Sequence, residues 1–248
     1  METEWAKGFT AALVIPDKEF AKLTRSTIPL LCYWRDHNRA LETLSRALDL
    51  PDLLTAHIEF EAQTESVGRA EPSHTDVMLT SPSASVAVEA KWTEPEYQTV
   101  AIWKTKVRKP LPVITHWLDR LRPFAEPPGP DAVSNLVYQM LHRCASACEP
   151  GRQIAAMVYL VFTDQEHSAD RYATALKKFV ETVRPTSRLR VRLIEIPMKK
   201  TPEYYRIEKL LAQKPLHHPR FRPASIMRRA VRHGELFEFL EPIVRGFE

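Results

Sequence analysis

Asp76, Glu89 and Lys91 fall within one stretch, His74 to Trp92, that reads HTDVMLTSPSASVAVEAKW. Two apolar runs flank a polar turn, Ser81-Pro82-Ser83, and the pattern predicts a pair of strands joined tightly. Strand side chains alternate faces, so Glu89 and Lys91 point the same way, about 6.6–7 Å apart along the chain. Ala87 shares their face, while Val86, Val88, Ala90 and Trp92 occupy the other. Pairing through the turn sets Asp76, at the outer end of the first strand, beside Glu89 at the outer end of the second. Two carboxylates and an ammonium would then converge on one spot. Such a group suits a hard divalent cation next to a water, because magnesium takes one or two carboxylates and keeps its other positions for water and phosphate. The competing reading is an ordinary ion cluster on a strand face, which contributes little to stability.

The flanking elements must position this stretch. Ala11–Ile15 reads as a short strand, and Pro16-Asp17 opens a helix to about Leu23. From Leu30 to Leu50 the apolar residues Leu31, Trp34, Leu41, Leu44 and Leu48 recur at helical spacing. His57 to Gln63 alternates, with Ile58, Phe60 and Ala62 on one face and Glu59 and Glu61 on the other. Residues 64–73 are expected to loop into the hairpin. Prolines crowd residues 93–130, so regular structure there should be short. Within them Ile102–Lys109 alternates, which predicts a basic strand presenting Lys104, Lys106 and Arg108 to phosphates. A short helix, Val113–Leu121, follows. Asp131–Cys148 reads as a helix capped by Asp131 or Ser134, with Gln139 and Arg143 one turn apart on one face. Ile154–Thr163 is a continuous apolar run, as in a strand covered on both faces. Ser168–Val183 is an amphipathic helix. Leu189–Ile196 alternates, with Arg190 and Arg192 on one side. Helices and scattered arginines are expected from Pro202 onward.

This order of helix, three strands, helix, strand, helix, strand resembles the PD-(D/E)XK nuclease superfamily over about residues 34–197. The resemblance implies an α/β fold: a restriction-endonuclease-like αβββαβ core with a mixed sheet flanked by helices, an insertion at 93–130 and a helical C-terminal extension at 202–248. It implies one domain, with Asp76, Glu89 and Lys91 as the acid and acid-x-Lys residues. Thr75 stands where the family name has proline. Gln139 corresponds to a glutamine that several branches carry on the helix after the acid-x-Lys strand. Arg143 stands where an aromatic often follows. The Ala90 carbonyl would be a further metal ligand. An acidic residue on the helix before the first core strand would reach the metal from the side: Glu42, with Asp36 and Asp49 as alternatives. Glu59 or Glu61 could help if their face turns toward the site. The implied activity is Mg²⁺-dependent hydrolysis of DNA, with Mn²⁺ as a substitute, in an endonuclease of restriction or other defence systems. The rival implication is a protein of the same fold that binds nucleic acid or a partner subunit without cutting. Cleaving both strands of a duplex would favour a homodimer.

Composition narrows the classes. The chain has 248 residues, 44% of them hydrophobic, enough for a substantial core. It has no apolar run long enough to span a membrane, and its start is unlike a signal peptide, so a cytoplasmic location is expected. Cys32, Cys144 and Cys148 form no CxxC pair, which argues against a disulfide framework or a structural zinc site. Six scattered glycines write no GxGxxG, Walker loop or GxSxG elbow, which counts against nucleotide motors, dinucleotide dehydrogenases and α/β-hydrolases. Charge is lopsided: residues 1–100 hold 9 Lys/Arg against 16 Asp/Glu, while residues 184–233 hold 14 against 3. A basic C-terminal third points to an anionic partner, nucleic acid above all, with Arg190 and Arg192 among the expected contacts.

Overall fold

The computed structural model describes residues 15, 17–20, 22–63, 74–95, 98–212 and 223–247. Helices α1 (Thr27–Tyr33) and α2 (His37–Leu48) precede strands β1 (His57–Gln63), β2 (His74–Thr80) and β3 (Ala84–Lys91). Helices α3 (Val100–Lys104), α4 (Pro110–Leu121) and α5 (Tyr138–Ala147) lead to β4 (Ile154–Thr163), α6 (Asp170–Val183) and β5 (Leu189–Lys200). Then come α7 (Pro202–Ala212), α8 (Pro223–His233), β6 (Phe237–Phe239) and β7 (Ile243–Gly246).

The strands form one mixed seven-stranded sheet in the order β1-β2-β3-β4-β5-β6, with β7 also paired to β5. β1, β2 and β3 are an antiparallel meander; β3, β4 and β5 run parallel. The parallel centre is covered on both faces, which is why β3 is buried along its whole length and β4 reads as unbroken apolar sequence. On one face, Val86, Val88, Ala90 and Trp92 pack with Leu41, Leu44 and Leu48 of α2 and with α1, α7 and α8. On the other, Ala87, Met157, Tyr159 and Val161 pack under α4, α5 and α6. The alternation along β3 is the one expected from sequence. Its hairpin is pinned by Asp52, whose carboxylate accepts hydrogen bonds from the hydroxyls of Ser81 (2.7 Å) and Ser83 (2.5 Å). Fixing this turn fixes the register that aligns β2 with β3.

Several elements differ from expectation. The helix expected over Leu30–Leu50 is two helices, broken at Trp34–Asp36, because Asp36 caps α2 by accepting the Arg39 N–H at 3.1 Å. The basic strand expected over Ile102–Lys109 is instead α3 followed by turns, started by the Thr99 hydroxyl at the Ile102 N–H. Lys104, Lys106 and Arg108 therefore share no strand face. α5 begins at Tyr138, not Asp131, since residues 131–136 are turns that bury Val133 and Leu136. The 93–130 segment is more than an insertion: α4 buries Ile114, Trp117, Leu118 and Leu121 in the second core layer. The C-terminal extension is not all helical, because β6 and β7 pair antiparallel with β5. Among the described residues, the helix expected from Pro16-Asp17 to about Leu23 is a 3₁₀ turn, Asp17–Phe20. Residues 11–14, the 64–73 loop, His217, His218, Arg220 and Arg222 lie outside the described residues.

Arg190 and Arg192, expected at nucleic acid, each make a contact within the fold. Arg190 Nη1 donates to the Asp49 carbonyl at 2.9 Å and Arg192 Nε to the Ala47 carbonyl at 3.2 Å. These carbonyls lie at the C-terminal end of α2, where a helix leaves acceptors without intrahelical donors and favours a cation. Arg192→Ala is expected to lower stability by about 1–3 kcal/mol, as loss of a charged hydrogen-bond donor does. The slope of nucleic-acid affinity against salt should not change. A slope reduced by about one would instead place Arg192 on phosphate.

Candidate active site

The β2–β3 register pairs Val77 with Val88, which sets Asp76 opposite Glu89 on the face beneath α5. Asp76 Oδ2 accepts the Ala90 N–H at 2.7 Å, so the carboxylate is tied to the second strand by its backbone. Lys91 Nζ donates to Glu89 Oε1 at 2.6 Å. From α5, Gln139 Nε2 donates to the same oxygen at 2.5 Å, and Arg143 Nε donates to Glu89 Oε2. Glu89, Lys91, Gln139 and Arg143 are each no more than 5% exposed, while Asp76 is half-buried. The helical spacing of Gln139 and Arg143 is what lets both reach one carboxylate.

Two acids and two cations balance here, but not symmetrically. Burial alone would raise the Glu89 pKa, yet Arg143 and Lys91 outweigh it and hold the carboxyl below its usual range. For Asp76, burial comes first and the negative charge of Glu89 second, and together they push its carboxyl well above the usual range. Burial also works against the Arg143 charge, but Glu89 and Asp76 prevail and the guanidinium stays ionised. Beside it, His142 is driven down to about 3 by burial and by Arg143. His142 Nδ1 lies 3.3 Å from Arg143 Nη1. A guanidinium only donates, so Nδ1 accepts and the imidazole proton sits on Nε2.

Among the described residues no three His, Cys, Asp or Glu side chains converge as a metal cage. Magnesium does not require one, and Asp76, Glu89 and the Ala90 carbonyl are hard oxygen donors of the right kind. A carboxylate has about four lone-pair sites, and Lys91, Gln139 and Arg143 occupy three on Glu89. Gln139 Oε1, on the side chain whose Nε2 holds Glu89, is buried with no hydrogen-bond partner, an acceptor that a bound water could satisfy. The donor set therefore fits a partly hydrated divalent ion.

The remaining expected site residues lie elsewhere. Glu42 is exposed on α2, which packs by Ala40, Leu41, Leu44 and Leu48 against the opposite face of the sheet. It is thus separated from Glu89 by the sheet itself, and Asp36 and Asp49 are the caps of the same helix. Glu61 faces His74, with 3.7 Å between Oε2 and Nδ1, and Glu59 is exposed. Lys104 Nζ lies 3.6 Å from Asp131, and Lys106 Nζ donates to Gln98 at 2.5 Å. Arg108 is exposed in a turn. Arg143, expected at nucleic acid, is a buried partner of Glu89. Its helical register with Gln139 carried the signal for that pairing, while nothing local marked His142.

The sheet and this cluster define an α/β protein with a mixed seven-stranded sheet and a buried acid–lysine–arginine centre beneath one helix. The chain belongs to the DUF6946 family, a domain of unknown function, which matches residues 3–199. That span holds Asp76, Glu89, Lys91, Gln139 and Arg143 and stops short of α7. No curated protein and no solved structure matches the chain. Among the described residues no helix is long and apolar enough to cross a membrane.

Proposed function

We propose that this protein is a divalent-metal-dependent nuclease with a restriction-endonuclease-like core, hydrolysing phosphodiester bonds in DNA, as restriction and other defence enzymes do. The reading is carried by one observation: Asp76, Glu89, Lys91 and Gln139, from two strands and a helix, meet at one place. The order α2-β1-β2-β3-α5-β4, with α3 and α4 inserted between β3 and α5, supports it, being otherwise the αβββαβ succession of that core. Asp76, Glu89 and the Ala90 carbonyl would hold Mg²⁺, with Mn²⁺ able to replace it. When bound, the ion supplies water activation and charge neutralisation at phosphorus. Lys91 is a compact ammonium held by Glu89, placed to stabilise negative charge growing on the phosphoryl oxygens. Gln139 fixes Glu89 through its amide N–H and offers Oε1 to orient the attacking water. Arg143 locks the Glu89 carboxylate from the other side and keeps it ionised.

A second reading has its own observation. Glu89 is already held by Lys91, Gln139 and Arg143, so its carboxylate is countered without a metal. A nuclease-fold protein that binds nucleic acid or a partner without cutting would have such a closed network. The two separate on supercoiled plasmid. The nuclease is expected to nick or linearise it in Mg²⁺ or Mn²⁺ and to stop in EDTA. Salt-sensitive plasmid binding without any cleavage in either metal would favour the second reading.

A further inference from the structure

On the same sheet face as Asp76, two residues along β2, lies Met78, and beside it a cavity of about 360 Å³. Same-face neighbours on a strand are about 7 Å apart, so the cavity adjoins the acidic cluster. Met78 and Glu59, cross-strand partners, form one side. Trp117 from α4 and His142 and Ala145 from α5 form the other. The cavity also joins the cluster through a hydrogen-bonded chain, because His142 accepts from the same Arg143 that holds Glu89.

The aromatic wall is built in depth. Tyr138 and Trp103 stack at 5.8 Å, Trp103 and Trp117 lie 5.1 Å apart, and Trp117 and His142 lie 4.9 Å apart at an interplanar angle of 32°. Trp117 and His142, 7% and 6% exposed, present a narrow, rigid, low-entropy strip of this braced run to the cavity. The opposite rim is different: Glu59 is an exposed carboxylate, an acceptor without donors of its own. A flat ring bearing an amine matches both surfaces at once.

We propose that this cavity is a nucleobase pocket, taking one unstacked base with an exocyclic amine from a strand whose backbone passes over Asp76 and Lys91. The placement of the backbone rests on the nuclease reading; the pocket chemistry does not. The base lies between Met78 and the Trp117–His142 wall, and its amine donates to Glu59. Cytosine, adenine and guanine carry such an amine. Thymine has no exocyclic amine, and its single N3–H lies between two carbonyl oxygens that a carboxylate repels, so it meets Glu59 less favourably. Bases buried in a duplex stack cannot enter, so the preferred substrate is single-stranded or locally opened DNA.

The test is fluorescence anisotropy with short labelled oligo(dC), oligo(dA) and oligo(dT) in Ca²⁺. Wild type is expected to bind oligo(dC) and oligo(dA) about tenfold more tightly than oligo(dT), within the range of a good amine contact. Glu59→Gln, an exposed substitution that leaves the fold untouched, should abolish most of that preference. Met78→Trp, which fills the cavity, should weaken binding of oligo(dC) and oligo(dA) about tenfold, the range lost with one base–aromatic stack. Equal wild-type affinities for the three strands, or a preference that survives Glu59→Gln, would overturn the pocket. Plasmid cleavage run in parallel separates the two ideas. Base preference without cleavage removes the nuclease and keeps the pocket, whereas cleavage without base preference does the reverse.

Discussion

Asp76→Asn and Lys91→Met are each expected to lower Mg²⁺-dependent cleavage by about 10²–10³-fold, the loss seen when one preorganised charge-stabilising group is removed. The two substitutions act at different points. Asn keeps an oxygen to accept the Ala90 N–H but removes the negative charge a divalent ion needs. Met keeps most of the Lys91 stem and removes the ammonium. Asp76→Asn also makes a thermodynamic prediction that a merely structural carboxylate would not. Burial and Glu89 raise the Asp76 pKa, so the folded chain binds its proton more tightly than the unfolded chain does. The stability this group contributes is complete below the ordinary aspartate range and is lost as pH rises through the raised folded pKa. Asn, neutral throughout, avoids that loss. The melting temperature of Asp76→Asn relative to wild type should therefore climb from acid to neutral pH in metal-free buffer, while cleavage collapses. Full cleavage by both variants would remove Asp76 and Lys91 from the chemistry, and a destabilised Asp76→Asn at neutral pH would show that its charge serves the fold.

What sequence made legible was what short-range periodicity encodes. The β2–β3 hairpin, the faces of β3 and the extent of β4 follow from alternation and from continuous apolar burial. Asp76, Glu89 and Lys91 could be brought together on paper because one tight turn sets their register. Errors came where a local pattern had two solutions. Ile102–Lys109 alternates like a strand, but a Thr99 cap gives its first turn to a helix. Val133 and Leu136 carry helical spacing yet are buried from turns. Other features depend on partners far along the chain. Arg190 and Arg192 meet carbonyls more than 140 positions away, and no periodicity announces such a contact. Glu42 shows a further limit: order along the chain places a helix next to a strand but does not say which face of the sheet it covers. The short strands β6 and β7 exist by pairing with β5, and isolated sequences of three and four residues carry no signal of that.

Glu89→Gln is expected to destabilise the protein by about 3–5 kcal/mol, the cost of leaving buried charges without their counter-ion. Lys91 and Arg143, 3% and 5% exposed, would both remain in place facing a neutral amide. The size matches Gln closely to Glu, so packing is not at issue. The loss should have a defined pH profile. Arg143 and Lys91 depress the Glu89 pKa despite burial, so its contribution is present above the ordinary glutamate range and is lost as pH falls through the depressed folded pKa. Wild type and Glu89→Gln should therefore differ most near neutrality and converge in acid, as followed by urea unfolding at several pH values. A second variant tests why the network exists at all. Replacing Glu89, Lys91 and Arg143 together by Leu, Met and Met fills similar volume and removes every charge of the cluster except that of Asp76, whose raised pKa favours its neutral form. Such replacements are often neutral or stabilising by about 1–4 kcal/mol. The triple variant should recover what Glu89→Gln lost while staying inactive, because a charged centre that the fold does better without is one retained for what it does. A triple variant less stable than Glu89→Gln would instead make the cluster a structural keystone of the β3–α5 interface.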